Sequence, residues 1–159
     1  MTGEGAAIRI RGAGPRDLAA VARIERASFG DPWSDEALLA ELIPDPMRLP
    51  LVAEQDGRVC GFLMAWRVVD QLHVLNIAAA PDVRRGGVGT ALLAEAARLA
   101  AASGLVEVTL EVRAGNAGAR AFYRRHAFAE AGLRPRYYSD NGEDAVIMTA
   151  ACAAILAGL

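Results

Sequence analysis

Asn76-Ile77-Ala78-Ala79-Ala80-Pro81-Asp82-Val83-Arg84-Arg85-Gly86-Gly87-Val88-Gly89-Thr90-Ala91-Leu92-Leu93 is the stretch on which the fold turns. Its opening reads as the end of a strand, Arg84 to Gly87 as a glycine-rich turn, and from Val88 the apolar residues fall into helical spacing. Glycines at 86, 87 and 89 let backbone approach a ligand closely. The first N–H groups of the helix point outward with the positive end of its dipole behind them. Such a turn suits a phosphate, and it equally suits an ordinary strand-to-helix connection. A dinucleotide fingerprint fits poorly, because Leu92 stands where its third Gly or Ala belongs. A Walker loop is excluded, since all 17 basic residues are Arg and none is Lys.

Upstream, the apolar runs 51–54, 59–69 and 72–80 are separated by Asp56-Gly57 and Asp70-Gln71, which predicts an antiparallel meander. Before them, residues 7–11 alternate like a short strand. Pro15 then opens a helix with Leu18, Val21, Ala22, Ile24 and Ala27 on one face. Asp31-Pro32-Trp33-Ser34 breaks the chain, and Ser34 is the expected N-cap of a second helix to about Leu42. Downstream, a helix over 87–103 ends at Gly104, and a strand over 106–112 precedes a helix capped by Asn116. Strand-like runs follow at 128–133 and 145–149. This order predicts one α/β domain over residues 7–150, with a mixed, mostly antiparallel twisted sheet flanked by helices. A flexible N-terminus, 1–6, and a C-terminal tail, 151–159, flank it.

The chain has 159 residues, 53% of them hydrophobic, enough for one packed core. Its net charge of -2 excludes a uniformly basic surface for nucleic acid. The charge is uneven: between Arg84 and Arg136 nine Arg face four acids, while the remainder holds eight Arg and fifteen acids. One region is therefore poised to meet an anion. Cys60 and Cys152 show no metal-ligand spacing with His73 or His126, so reduced thiols and no metal are expected. Neither a signal peptide nor a membrane span is read, which makes a cytoplasmic protein the expectation.

Two further features carry chemistry. In Val106-Glu107-Val108-Thr109-Leu110-Glu111-Val112-Arg113 the valines and Leu110 share one face, and Glu107, Thr109 and Glu111 the other. A carboxylate at the end of a central strand either faces a wet cleft, where it is a candidate base, or pairs with Arg113 or Arg120. In the helix after Asn116, Tyr123 stands two turns from the cap on nearly the same side; it is either core or a candidate acid.

Together these motifs resemble the GCN5-related N-acetyltransferase (GNAT) superfamily, whose acetyl-CoA loop Q/R-x-x-G-x-G/A reads here as Arg84-Arg85-Gly86-Gly87-Val88-Gly89. Leu110-Glu111-Val112-Arg113, Asn116, Phe122-Tyr123, Tyr137-Tyr138 and the Pro32-Trp33-Ser34 stretch look like the protein N-terminal acetyltransferases, in particular the bacterial ribosomal-protein-alanine N-acetyltransferases. The resemblance implies acetyl-CoA as co-substrate at splayed central strands. Ile77, Ala78 and Ala79 would lie along the acetyl-pantetheine arm, and Arg85, Gly86, Gly87, Val88, Gly89 and Thr90 would hold the pyrophosphate. Asn116 would contact CoA, with Glu111 as general base and Tyr123 as general acid. Trp33, Tyr137 and Tyr138 would wall a slot for the acceptor.

The implied reaction is direct transfer of acetyl to a protein N-terminus, most closely the N-terminal alanine of a small-subunit ribosomal protein. No nucleic acid, membrane or metal takes part, and the oligomeric state stays open. Transfer to a small amine or a lysine side chain, and a non-catalytic acyl-CoA sensor, remain the alternatives on the same fold. Ala127 departs from the family's usual Gly before Phe128, at a cost of about 1 kcal/mol if that backbone must be left-handed.

Overall fold

The computed structural model describes residues 7–159, so the stretch 1–6 expected to be flexible lies outside the described residues. The strands are β1 (Arg9–Gly12), β2 (Arg48–Gln55), β3 (Arg58–Val68), β4 (Gln71–Ala79), β5 (Glu107–Arg113), β6 (Ala129–Arg134) and β7 (Ala145–Ala151). They form a mixed sheet in the order β1-β2-β3-β4-β5-β7-β6. The helices are α1 (Leu18–Ser28), α2 (Asp35–Leu42), α3 (Val88–Ala102), α4 (Ala117–Arg125) and α5 (Cys152–Ala157). Two compact units divide the chain, one running to Ala65 and including Asn76–Ala96, the other made of Trp66–Leu75 and Ala97–Leu159.

In the first unit β1 pairs antiparallel with β2, Arg9 opposite Glu54 and Gly12 opposite Leu51. Pro15–Asp17 forms a 3-10 turn whose Asp17 carboxylate accepts from the Gly14 N–H and from both terminal nitrogens of Arg11. This bidentate pair holds the Asp17 carboxyl below its ordinary range. α1 and α2 bury Val21, Ile24, Leu38 and Leu42, each such side chain contributing roughly 1.5–3 kcal/mol on leaving water. Ser34 caps α2, its side chain accepting from the Ala37 N–H at 3.1 Å. Asp56 and Gly57 both take positive φ, the twist that a two-residue hairpin between β2 and β3 requires. Gly61 of β3 is where α3 comes down: a Cβ there would stand 2.5 Å from Val88 Cγ1 and 3.1 Å from the Ala78 carbonyl.

In the second unit β4 runs parallel to β5, Gln71–Val74 opposite Glu107–Leu110 at the start of both strands. The preceding turn is Val69-Asp70, one residue before the expected Asp70-Gln71, because Gln71 already pairs with Glu107. β5 is antiparallel to β7 along its length, and β7 to β6 with an irregularity between Glu130 and Gly132. Val108, Leu110 and Val112 are buried as their alternation requires. Val106 has the same parity but lies before the strand and is 58% exposed. The final residues form α5, which buries Cys152 and Ile155.

Among the described residues no helix is long and apolar enough to cross a membrane, and no group of three His, Cys, Asp or Glu side chains is placed to hold a metal ion.

Candidate active site

In the first unit, β4 leads through Ile77, Ala78 and Ala79 into a 3-10 turn, Pro81–Val83, and then the exposed turn Arg84–Gly87. Arg85 and Gly87 both have positive φ, 68° and 86°, and a Cβ on Gly86 would stand 2.9 Å from the Val83 carbonyl oxygen. The turn therefore presents backbone rather than side chains immediately before α3, whose first N–H groups have no preceding carbonyl within the helix. Val88 is buried at the helix start, while Gly89 and Thr90 are half-buried. Arg84 braces the turn from behind, its guanidinium donating to the Ala79 carbonyl at 3.3 Å and the Ser28 hydroxyl at 3.1 Å.

In the second unit, Glu111 faces away from the buried side of β5 and meets His73 of β4, Oε2 to Nε2 at 2.6 Å. Arg134 of β6 lies 3.3 Å from Oε1. Hydrogen bonding from His73 and, to a smaller extent, the charge of Arg134 hold the Glu111 carboxyl below its ordinary range, against the opposing effect of burial. Neither ion pair considered from the sequence forms. Arg113 instead binds Asp140 and Glu143, and Arg120 binds Glu130.

Tyr123, on α4, is 8% exposed and wedged between Phe122 and Phe128, at ring-centroid distances of 5.4 and 5.5 Å. Burial pushes its phenol well above the ordinary tyrosine value, favouring the protonated form. Asn116 caps α4, its Oδ1 accepting from the Ala119 N–H at 3.0 Å, which leaves its amide N–H groups for another partner.

The aromatics expected around the acceptor divide between the units. Trp33 is half-buried in the first. Tyr137, 49% exposed, stacks edge-on against Tyr138 in the second. Arg113 lies over the Tyr138 ring at 4.0 Å. Burial raises the Tyr138 phenol to about 12. Glu143 is engaged within the chain: it accepts from the Gly115 N–H at 2.7 Å and pairs with Arg113.

Sequence reasoning missed His73, Asn76, Glu25 and Arg134. The parity of Glu111 and His73 on their strands was readable, but the parallel register that brings them together was not.

The pattern of the acetyltransferase (GNAT) family matches residues 18–128, from the start of α1 to Phe128. The chain belongs to the acetyltransferase (GNAT) family. A GNAT enzyme is an acyltransferase that draws its acetyl group from acetyl-CoA. Within the family, the chain is similar to the [ribosomal protein bS18]-alanine N-acetyltransferase of Escherichia coli (strain K12), with 36% identity over 134 residues, covering 83% of this chain and 89% of that one. The crystal structure of the ribosomal-protein-S18-alanine N-acetyltransferase from Escherichia coli superposes with a TM-score of 0.84 at 33% identity, covering 92% and 94% of the two chains. Ard1 from Thermoplasma volcanium shares the GNAT fold at a TM-score of 0.83 and 29% identity, covering 91% and 97%.

Proposed function

We propose that this GNAT enzyme is an N-alpha-acetyltransferase that moves acetyl from acetyl-CoA to a protein N-terminus, the natural acceptor being the N-terminal alanine of a small-subunit ribosomal protein. The observation that carries the chemistry is the Glu111–His73 pair at 2.6 Å, held on neighbouring strands. The similarity to the bS18-alanine enzymes supports the acceptor.

Acetyl-CoA supplies an activated acyl group with a thiolate as leaving group. The turn Arg85–Thr90 fits its pyrophosphate, because exposed backbone and a helix start receive an anion without a lysine. Ile77, Ala78 and Ala79 flank the acetyl-bearing arm in this reading, and the amide of Asn116 contacts CoA.

Glu111, held ionised by its hydrogen bond with His73 and the charge of Arg134, receives the proton that the α-ammonium gives up. With an ordinary pKa of about 7.7–8.0, that ammonium needs little help. The freed nitrogen forms the new C–N bond as the C–S bond breaks. Tyr123 gives its proton to the departing sulfur and regains one as the acylated nitrogen sheds its second proton, so the products are an acetamide and the free thiol. No enzyme nucleophile takes part. In this reading Trp33, Tyr137 and Tyr138 are each assigned to the acceptor. A ribosomal-protein acceptor places the reaction in the cytoplasm.

The test mixes purified protein with acetyl-CoA and two hexapeptides, one beginning with free Ala-Arg and the other N-terminally blocked with an internal lysine, and locates the acetyl group by mass spectrometry. Acetyl on the free α-amine alone is expected. Transfer to lysine only would keep the family and discard this acceptor. CoA binding without transfer would discard the enzyme.

A further inference from the structure

Glu25 is 1% exposed on α1, and no arginine reaches its carboxylate among the described residues. Its oxygens are satisfied by two neutral donors: the Trp33 backbone N–H at 2.9 Å and the Asn76 side-chain amide of β4. Burial pushes the Glu25 carboxyl above its ordinary range. A buried carboxylate without a cation is a costly way to fill a core position, since an apolar side chain of similar volume is often as stable or more so. What this one achieves is geometric. It fastens the Asp31-Pro32-Trp33-Ser34 turn, through the backbone of Trp33, to the residue just before Ile77. One helical turn further, Ser28 is bound by Arg84, which also holds the Ala79 carbonyl. Thus α1 is tied at both ends of Ile77–Ala79, and only the Glu25 tie extends to Trp33.

We infer that Glu25 is a positioning residue for the acceptor: it sets the spacing between the Trp33 wall and the strand segment Ile77–Ala79. The inference rests on the proposed reading of Trp33 and of that segment. Removing the carboxylate leaves the Trp33 N–H unpaired and lets the turn drift, while the glycine turn that receives CoA keeps its own Arg84 brace.

The test compares Glu25→Leu, Glu25→Gln and Asn76→Ala in the full chain. Glu25→Leu, which takes the acceptor from the Trp33 N–H and the Asn76 amide, is expected to lower the thermal midpoint by a few degrees and to raise the KM of the Ala-Arg peptide about tenfold or more as the turn drifts. The CoA Kd should stay within about twofold. Glu25→Gln, which still accepts from Trp33 while the Asn76 amide turns its oxygen toward the new N–H, should restore the peptide KM. Asn76→Ala removes one donor from a half-buried site and should raise the peptide KM less than Leu does, which keeps the inference testable if the Leu variant fails to fold. Amide exchange at Trp33 reads the anchor without any turnover: slow in wild type, fast in Glu25→Leu. A wild-type peptide KM in folded Glu25→Leu and in Asn76→Ala, or Trp33 exchange unaffected by either, overturns the inference. Equal losses of peptide and CoA binding do the same. A wild-type protein that leaves the peptide untouched would instead refute the proposed acceptor, and the Trp33 exchange would then judge the anchor alone.

Discussion

His73 and Glu111 are 38 residues apart in sequence and 2.6 Å apart in space. The contact makes Glu111 a stronger acid than an isolated glutamate, because the carboxylate is the form that His73 and Arg134 stabilise. A folded-state value below the unfolded one means that this pair stabilises the protein above the ordinary carboxylate range. The stabilisation is lost as pH falls through the folded value.

Replacing His73 by Ala therefore raises the Glu111 pKa. Two shifts are expected: the acid limb of kcat moves to higher pH, and so does the midpoint of acid unfolding followed by tryptophan fluorescence. Arg134→Met should move both in the same direction by less, since His73 is the larger cause. Glu111→Gln should lower kcat about a hundredfold while leaving CoA affinity unchanged. Acid limbs that coincide in wild type and His73→Ala would remove the pair from the reaction.

Tyr123 carries the opposite perturbation for a different reason. Burial between aromatic rings disfavours the phenolate, so the hydroxyl holds its proton more firmly than an exposed tyrosine does. Tyr123→Phe keeps the ring packing and removes only the proton. Thermal stability should change by no more than about 1 kcal/mol, while single-turnover transfer slows about a hundredfold. A wild-type single-turnover rate in Tyr123→Phe would leave Tyr123 as a packing residue.

The turn before α3 is tested at Gly87, whose φ of 86° admits an L side chain only with strain. Gly87→Val both strains that backbone and covers the N–H groups at the helix start. CoA binding, measured by calorimetry, is expected to weaken about tenfold or more, and Glu111 chemistry on bound acetyl-CoA to survive. Unaltered affinity would detach the turn from the pyrophosphate.

Most of what was legible in the sequence follows short-range rules. The Ser34 and Asn116 caps, the stop at Gly104 and the strand-turn-helix around Gly86-Gly87 depend on residues within a few positions of one another, and each formed where its chemistry required. Contacts that depend on register did not announce themselves. The partners of Glu111 come from β4 and β6, and those of Glu25 from the α1–α2 turn and β4. Glu25 lies between Ile24 and Arg26 on an amphipathic helix, where no periodicity marks a buried carboxylate. The Arg113 pairing was hidden for the same reason, its acids lying 27 and 30 residues downstream.

Ala127 turned from a departure in a motif into a measurable strain. It follows α4 with a φ of 72°, in the left-handed region, and its N–H donates to the Arg124 carbonyl at 3.2 Å while Phe128 closes on Tyr123 at 3.0 Å. The arrangement is a helix C-terminus that ordinarily takes glycine. An alanine there gives up about 1 kcal/mol to steric crowding, partly offset by the greater freedom glycine has in the unfolded chain. Ala127→Gly is therefore expected to raise the thermal midpoint by about 2–4 °C if the full kilocalorie is recovered, and by less if the entropy of glycine cancels part of it. The ring of Tyr123 should not move, so kcat should be unchanged. A midpoint that falls on this substitution would show that the left-handed turn costs alanine less than the freedom glycine adds to the unfolded chain.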